Sequence, residues 1–144
     1  NFRVEVPSST IGSNYCTANA NSTGLFGAMG AVGSEFATDN TVTLSAGDLP
    51  ANSFGFFLTS MSQGFTANPG GSQGNLCLSG NIGRYTSNVL NTGASGSVAL
   101  QIDLNSIPKN PPDAIQAGET WRFQLWFRDQ QTSNTTDGIE VLFR

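Results

Sequence analysis

The chain has 144 residues, of which 38% are hydrophobic and 11% charged, and its net charge is −4. That length builds one domain with a sizeable core and leaves no room for a catalytic domain beside a binding domain. Six basic residues in all exclude the clustered Lys and Arg that nucleic acid or an anionic membrane surface requires, and no apolar run is long enough to span a bilayer.

Seventeen glycines and six prolines call for many tight turns, which suits strands and loops rather than helices. Residues 1–10 read as an N-terminal strand or the end of a linker, with Phe2, Val4 and Val6 on one side, a pattern able to add to a neighbouring sheet edge. Residues 11–144 then form a single β-sandwich domain. Residues 25–32 predict an irregular strand and 41–44 a short one, with a turn at 46–50. Residues 54–58 predict a strand buried on at least one face, and residues 63–73, with Pro69-Gly70-Gly71, a loop. Residues 75–78 carry Cys77 and are expected to tie that loop back to the N-terminal region, and a further strand is expected within 82–89. The cleanest alternation is 97–104, with Val98, Leu100, Ile102 and Leu104 facing in. Strands at 121–129 and 139–143 complete about eight, which favours an all-β antiparallel sandwich, jelly-roll or immunoglobulin-like, over a barrel.

The strand at 121–129 has two distinct faces. Trp121, Phe123, Leu125 and Phe127 can fill a core. Arg122, Gln124, Trp126 and Arg128 point the other way and place a large ring between two guanidinium groups. Such a face either grips a ligand, by stacking on sugar rings or a partner protein, or packs against another sheet with its arginines reaching out. Tyr15, Tyr85 and Phe65 are candidates to extend it from loops.

Histidine is absent, which removes Ser-His-Asp and Cys-His catalysis and most transition-metal sites. Asp103 and Glu140 fall on outward strand faces and read as solvated carboxylates; no catalytic residue is assigned and no enzyme activity expected. Cys16 and Cys77 fit a disulfide in an oxidising compartment, with two reduced buried thiols as the alternative. The bridge would close a loop of roughly 60 residues, worth ~4 kcal/mol on the chain-entropy model. No cofactor is expected; calcium is the one metal the composition accommodates, with Asp39 (beside Asn40), Asp129 and Asp137 as candidate ligands against their ordinary use in caps and turns. Asp129 and Asp137 flank residues 130–136 and can face each other across the base of that loop. Sequons at Asn21 and Asn134 lie in predicted loops.

Several segments together resemble a known module: Asn14-Tyr15-Cys16-Thr17, Leu49-Pro50-Ala51-Asn52-Ser53-Phe54-Gly55-Phe56, Gly71-Ser72-Gln73-Gly74-Asn75-Leu76-Cys77-Leu78, Ile82-Gly83-Arg84-Tyr85 and Gly118-Glu119-Thr120-Trp121-Arg122-Phe123-Gln124-Leu125-Trp126. The chain, over about residues 12–143, is similar to an uncharacterised module at the C-terminal end of large secreted proteins from planctomycetes, myxobacteria and related bacteria. The resemblance implies an extracellular location, a disulfide and a place at the end of a multidomain chain; it implies no catalytic residue. This sequence departs from the module with Phe127 where tyrosine is common, and with Asn134-Thr135-Thr136-Asp137 where Asn-Phe-Thr-Asp is common.

The leading expectation is an extracellular or cell-surface structural module of a bacterial surface or appendage protein, packing against copies of itself or neighbouring domains. Polysaccharide binding through the Trp126 face is the second, and a calcium-stabilised adhesion domain the third.

Overall fold

Period-two alternation of apolar side chains governs the ordered segments, and the chain folds as two packed antiparallel sheets. In the computed structural model, which describes residues 9–144, twelve strands are numbered along the chain. The larger sheet runs β1 (Ser13–Tyr15), β12 (Gly138–Leu142), β10 (Thr120–Asp129), β4 (Phe54–Ser60) and β7 (Gly83–Arg84). β11 (Thr132–Thr135) continues the row of β12 along β10, and β8 (Leu90–Asn91) that of β7 along β4. The smaller sheet orders β2 (Ala28–Val32), β3 (Thr43–Gly47) and β9 (Val98–Gln101). A separate hairpin pairs β5 (Ser62–Ala67) with β6 (Asn75–Ser79).

The expected sandwich is therefore present, in twelve strands rather than about eight. Two rows of the larger sheet are broken into two pieces each, which accounts for much of the excess. Residues 63–73, expected as a loop, instead begin with most of β5. The segment 82–89 yields only the two residues of β7 before a turn leads to β8, and the strand expected at 41–44 is shifted to Thr43–Gly47. Phe2, Val4 and Val6, the candidate strand-addition segment, lie outside the described residues.

The core sits between the two sheets. Trp121, Phe123, Leu125 and Phe127 are wholly buried, as the alternation requires, together with Phe57, Val141 and Phe143. Met29, Ala31, Leu44, Ala46 and Val98 meet them from the smaller sheet, and Ile102, Leu104, Ile107 and Ile115 close one end. Burying an aromatic or large aliphatic side chain of this kind contributes about 1.5–3 kcal/mol.

The outer face of the larger sheet is not all solvent. The β5–β6 hairpin lies on it as a third layer, held by polar contacts. Gln124, on the outward side of β10, is fully buried. Its Oε1 accepts the Cys77 N–H at 3.0 Å, and its Nε2 donates to the carbonyls of Asn75 at 2.7 Å and Thr136 at 2.8 Å. Thr136 stands where the partner of β10 carries an extra residue. Phe123 pairs with Ile139 but Trp126 pairs with Thr135, so two residues of β10 face three. The bulge leaves the Leu125 N–H to the Thr136 hydroxyl, at 3.0 Å. Thr135 and Asn75 are joined twice, the Asn75 N–H donating to Thr135 Oγ1 at 3.0 Å and that hydroxyl donating to the Asn75 carbonyl at 2.8 Å. Gly74 permits the approach, since a Cβ there would lie 2.3 Å from Thr135 Oγ1.

The Cys16–Cys77 disulfide ties β6 to the residue after β1, with the Cα atoms 6.3 Å apart. Beside it, the Tyr15 hydroxyl donates to the Cys77 carbonyl at 2.8 Å, and burial raises the Tyr15 pKa to about 12.

Gln124→Leu fills similar space but leaves the Cys77 N–H and the Thr136 carbonyl buried without partners, while the Asn75 carbonyl keeps the Thr135 hydroxyl. It is expected to cost about 3 kcal/mol in urea unfolding, with little change in the slope of the transition. A loss below about 1 kcal/mol would show that the hairpin does not depend on this side chain.

Candidate functional site

The alternation of β10 and β4 sends Trp126 and Phe56 to the outer face, and their register sets the two residues directly opposite each other. The rings are 5.2 Å apart and tilted by 35°, within the range of favourable aromatic pairs. Both are half-buried, because the hairpin covers the face only in part. Burial along β4 follows the same gradient: Leu58 is buried, Phe56 half-buried, and Phe54 57% exposed. A groove of about 210 Å³ opens beside the pair. Pro69 and Leu76 form its lip on the hairpin side, and Leu58, Thr135 and Arg84 line it from the sheet.

The four residues expected to share the exposed face separate here. Trp126 and Arg128 lie on the open part. Gln124 points the expected way but is sealed under the hairpin. Arg122 pairs with Glu140 at 3.2 Å and donates to the Met61 carbonyl, so its guanidinium is turned away from the ring. The second arginine at the aromatic pair is Arg84, brought in by its pairing with Leu58 across β7 and β4. Sequence reasoning missed it because β7 is two residues long and has no alternation to read. The Arg122–Glu140 pairing did leave a signal: both fall on outward faces of strands that the chain can fold back on each other, and they sit directly opposite.

Of the proposed extensions, Tyr15 is engaged beside the disulfide. Phe65, 65% exposed, projects from β5 and does not line the groove. Tyr85 is buried elsewhere, beside a depression of about 360 Å³ that Asn88, Gln101 and Asp103 also line. Its hydroxyl is buried without a hydrogen-bond partner among the described residues, and burial raises its pKa.

The three candidate calcium ligands are not brought together. Asp39 accepts the Ser34 hydroxyl at 2.6 Å in a short 3-10 turn. Both oxygens of Asp129 accept the Ser22 N–H, at 3.0 and 3.2 Å. Asp137 accepts the Met29 N–H at 2.8 Å and Asn14 Nδ2 at 3.1 Å. Asp129 and Asp137, expected to face each other across one loop, thus brace two different segments of backbone. Among the described residues, no group of three or more acidic, cysteine or histidine side chains is placed to hold a metal ion.

The sequon asparagines are also structural. Asn21 Nδ2 donates to the Asp48 carbonyl at 2.8 Å, and Asn134 Nδ2 to the Ala20 carbonyl at 3.2 Å. Asn134 belongs to β11, not to the loop its sequence suggests.

No family model, curated protein or solved structure matches the chain. Its chemistry is therefore that of these side chains alone: an open aromatic pair, a shallow apolar groove with Arg84 in its lining, and Arg128 two residues beyond Trp126. No helix among the described residues is long and apolar enough to cross a membrane, and the disulfide fits an oxidising compartment.

Two outcomes follow. Tyr85→Phe removes an unpartnered buried hydroxyl and is expected to raise stability by about 1 kcal/mol in denaturant unfolding; a loss of that size would reveal a partner for the hydroxyl. Asp137 is held above its ordinary pKa of 3.8, because burial outweighs the Met29 and Asn14 hydrogen bonds that favour its charged form. The folded state therefore keeps this proton to higher pH than the unfolded chain, and the contribution of Asp137 to stability falls as pH rises from about 3.8 through the raised value. Asp137→Asn is expected to remove that fall from a plot of Tm against pH, and an unchanged plot would count against the assignment.

Proposed function

We propose that this chain is a non-catalytic contact module that works outside the cell, as part of a larger secreted or surface-attached protein, and that its working surface is the open part of the larger sheet's outer face. The observation that carries this reading is the Phe56–Trp126 pair, half-open beside a groove in a molecule whose other tryptophan is wholly buried. Aromatic rings offer stacking area at little entropic cost, and sugar rings present the flat C–H faces that suit them. Polysaccharide is accordingly the class of partner favoured. The Cys16–Cys77 bridge and the low charge suit a durable module in an oxidising environment.

A structural role in assembly is the second reading, and Phe54 favours it. The ring is 57% exposed on the same face as Phe56 and Trp126, so a second copy could cover all three. The two readings part on one experiment. Native electrophoresis through gels cast with different polysaccharides should retard the protein, and Trp126→Ala should abolish the retardation while leaving Tm within a few degrees. Light scattering should find a monomer. A stable dimer that Trp126→Ala dissociates, with no retardation in any gel, would establish assembly instead.

A further inference from the structure

The four arginines among the described residues divide by partner. Arg122 is paired with Glu140 at 3.2 Å, and Arg144 lies 4.0 Å from Glu35. Arg84 and Arg128 have no carboxylate within that distance among the described residues, and both are exposed. These two are the arginines at the aromatic face: Arg84 lines the groove, and Arg128 lies two residues beyond Trp126 on the same side of β10. No acidic residue among the described residues lines the groove. In a chain of net charge −4, the groove beside the Phe56–Trp126 pair thus has near it two guanidinium groups that form no ion pair among the described residues.

From this charge complementarity we infer that the occupant is an acidic polysaccharide, a polymer of uronic acids, and not a neutral one. The inference rests on the polysaccharide reading above and names the class of sugar. A pyranose ring lies against Trp126 and Phe56, and its neighbours along the polymer present carboxylates to Arg84 and Arg128. A planar carboxylate takes two parallel N–H bonds from a guanidinium group, which a neutral hydroxyl cannot match. Phe54 extends the stacking row beneath the polymer. Exposed ion pairs of this sort weaken as salt screens them.

The test compares polygalacturonate and alginate oligomers with neutral dextran and cello-oligosaccharides, by calorimetry at low and high salt. The expected result is binding of the uronate oligomers, weakened at high salt, with little for the neutral sugars. Arg84→Gln with Arg128→Gln changes only exposed side chains, so the fold is expected to persist, checked by an unchanged Tm. That double variant should bind uronates roughly tenfold more weakly. Neutral oligosaccharides bound as tightly as uronates, by wild type and double variant alike, would overturn the acidic class while leaving a sugar-binding face in place. No binding of any oligomer would overturn the inference together with the reading beneath it. Dextran sulfate, run as a further probe, would overturn the choice of carboxylate if it bound in preference to both uronates.

Discussion

The outer layer of this molecule is held by a buried polar network centred on one side chain. Gln124 stands on a face where alternation would place it in water, yet it is fully buried and its amide groups are occupied. The Gln73 N–H reaches the Ser133 carbonyl at 2.8 Å, and elsewhere side chains span the gap between the layers. Gln124 does so at the bulge, where a carbonyl of the neighbouring row is free to be met, and β6 supplies the remaining partners. A buried polar network costs free energy wherever it is incomplete, so this one fixes the position of the hairpin more sharply than apolar packing would. The disulfide reinforces the same strand, since Cys77 both donates its N–H to Gln124 and bonds to Cys16.

The open aromatic face follows from where that layer stops. Gln124 is sealed and Trp126, two residues on, is half-open, so the boundary of the hairpin falls between them. Pro69 and Leu76 are at once the edge of the covering layer and the lip of the groove. The site is therefore a step between two levels of the molecule rather than a pocket within it.

Much of the inner architecture was legible. Strand β10 sorts its core residues from its outward residues without error, and Val98, Ile102 and Leu104 are buried as the alternation around β9 requires. What alternation cannot disclose is which outward residues a further layer will cover. Residues 63–73 read as a loop from Pro69-Gly70-Gly71, and Ser62–Ala67 offers no apolar face to contradict it; with five of its six residues exposed, it is a strand by virtue of its pairing with β6 alone. β11 is hidden for the converse reason: Ser133, Asn134 and Thr135 are buried polar residues, acceptable only because their hydrogen bonds are met by residues remote in the chain. Arg84 reaches the aromatic pair through cross-strand register, a relation that no local pattern encodes.

The two sequons acquire a different meaning in the folded molecule. The amide nitrogens of Asn21 and Asn134, to which a glycan would be joined, are held against backbone carbonyls inside the protein. A transferase that recognises the motif can reach them only in a chain that has not yet closed. In a glycosylating secretory host, a sugar on Asn134, which is wholly buried, would therefore mark a molecule whose β11 has not taken its place beside β10. Sites usually regarded as surface decoration become, on this chain, reporters of unfinished folding.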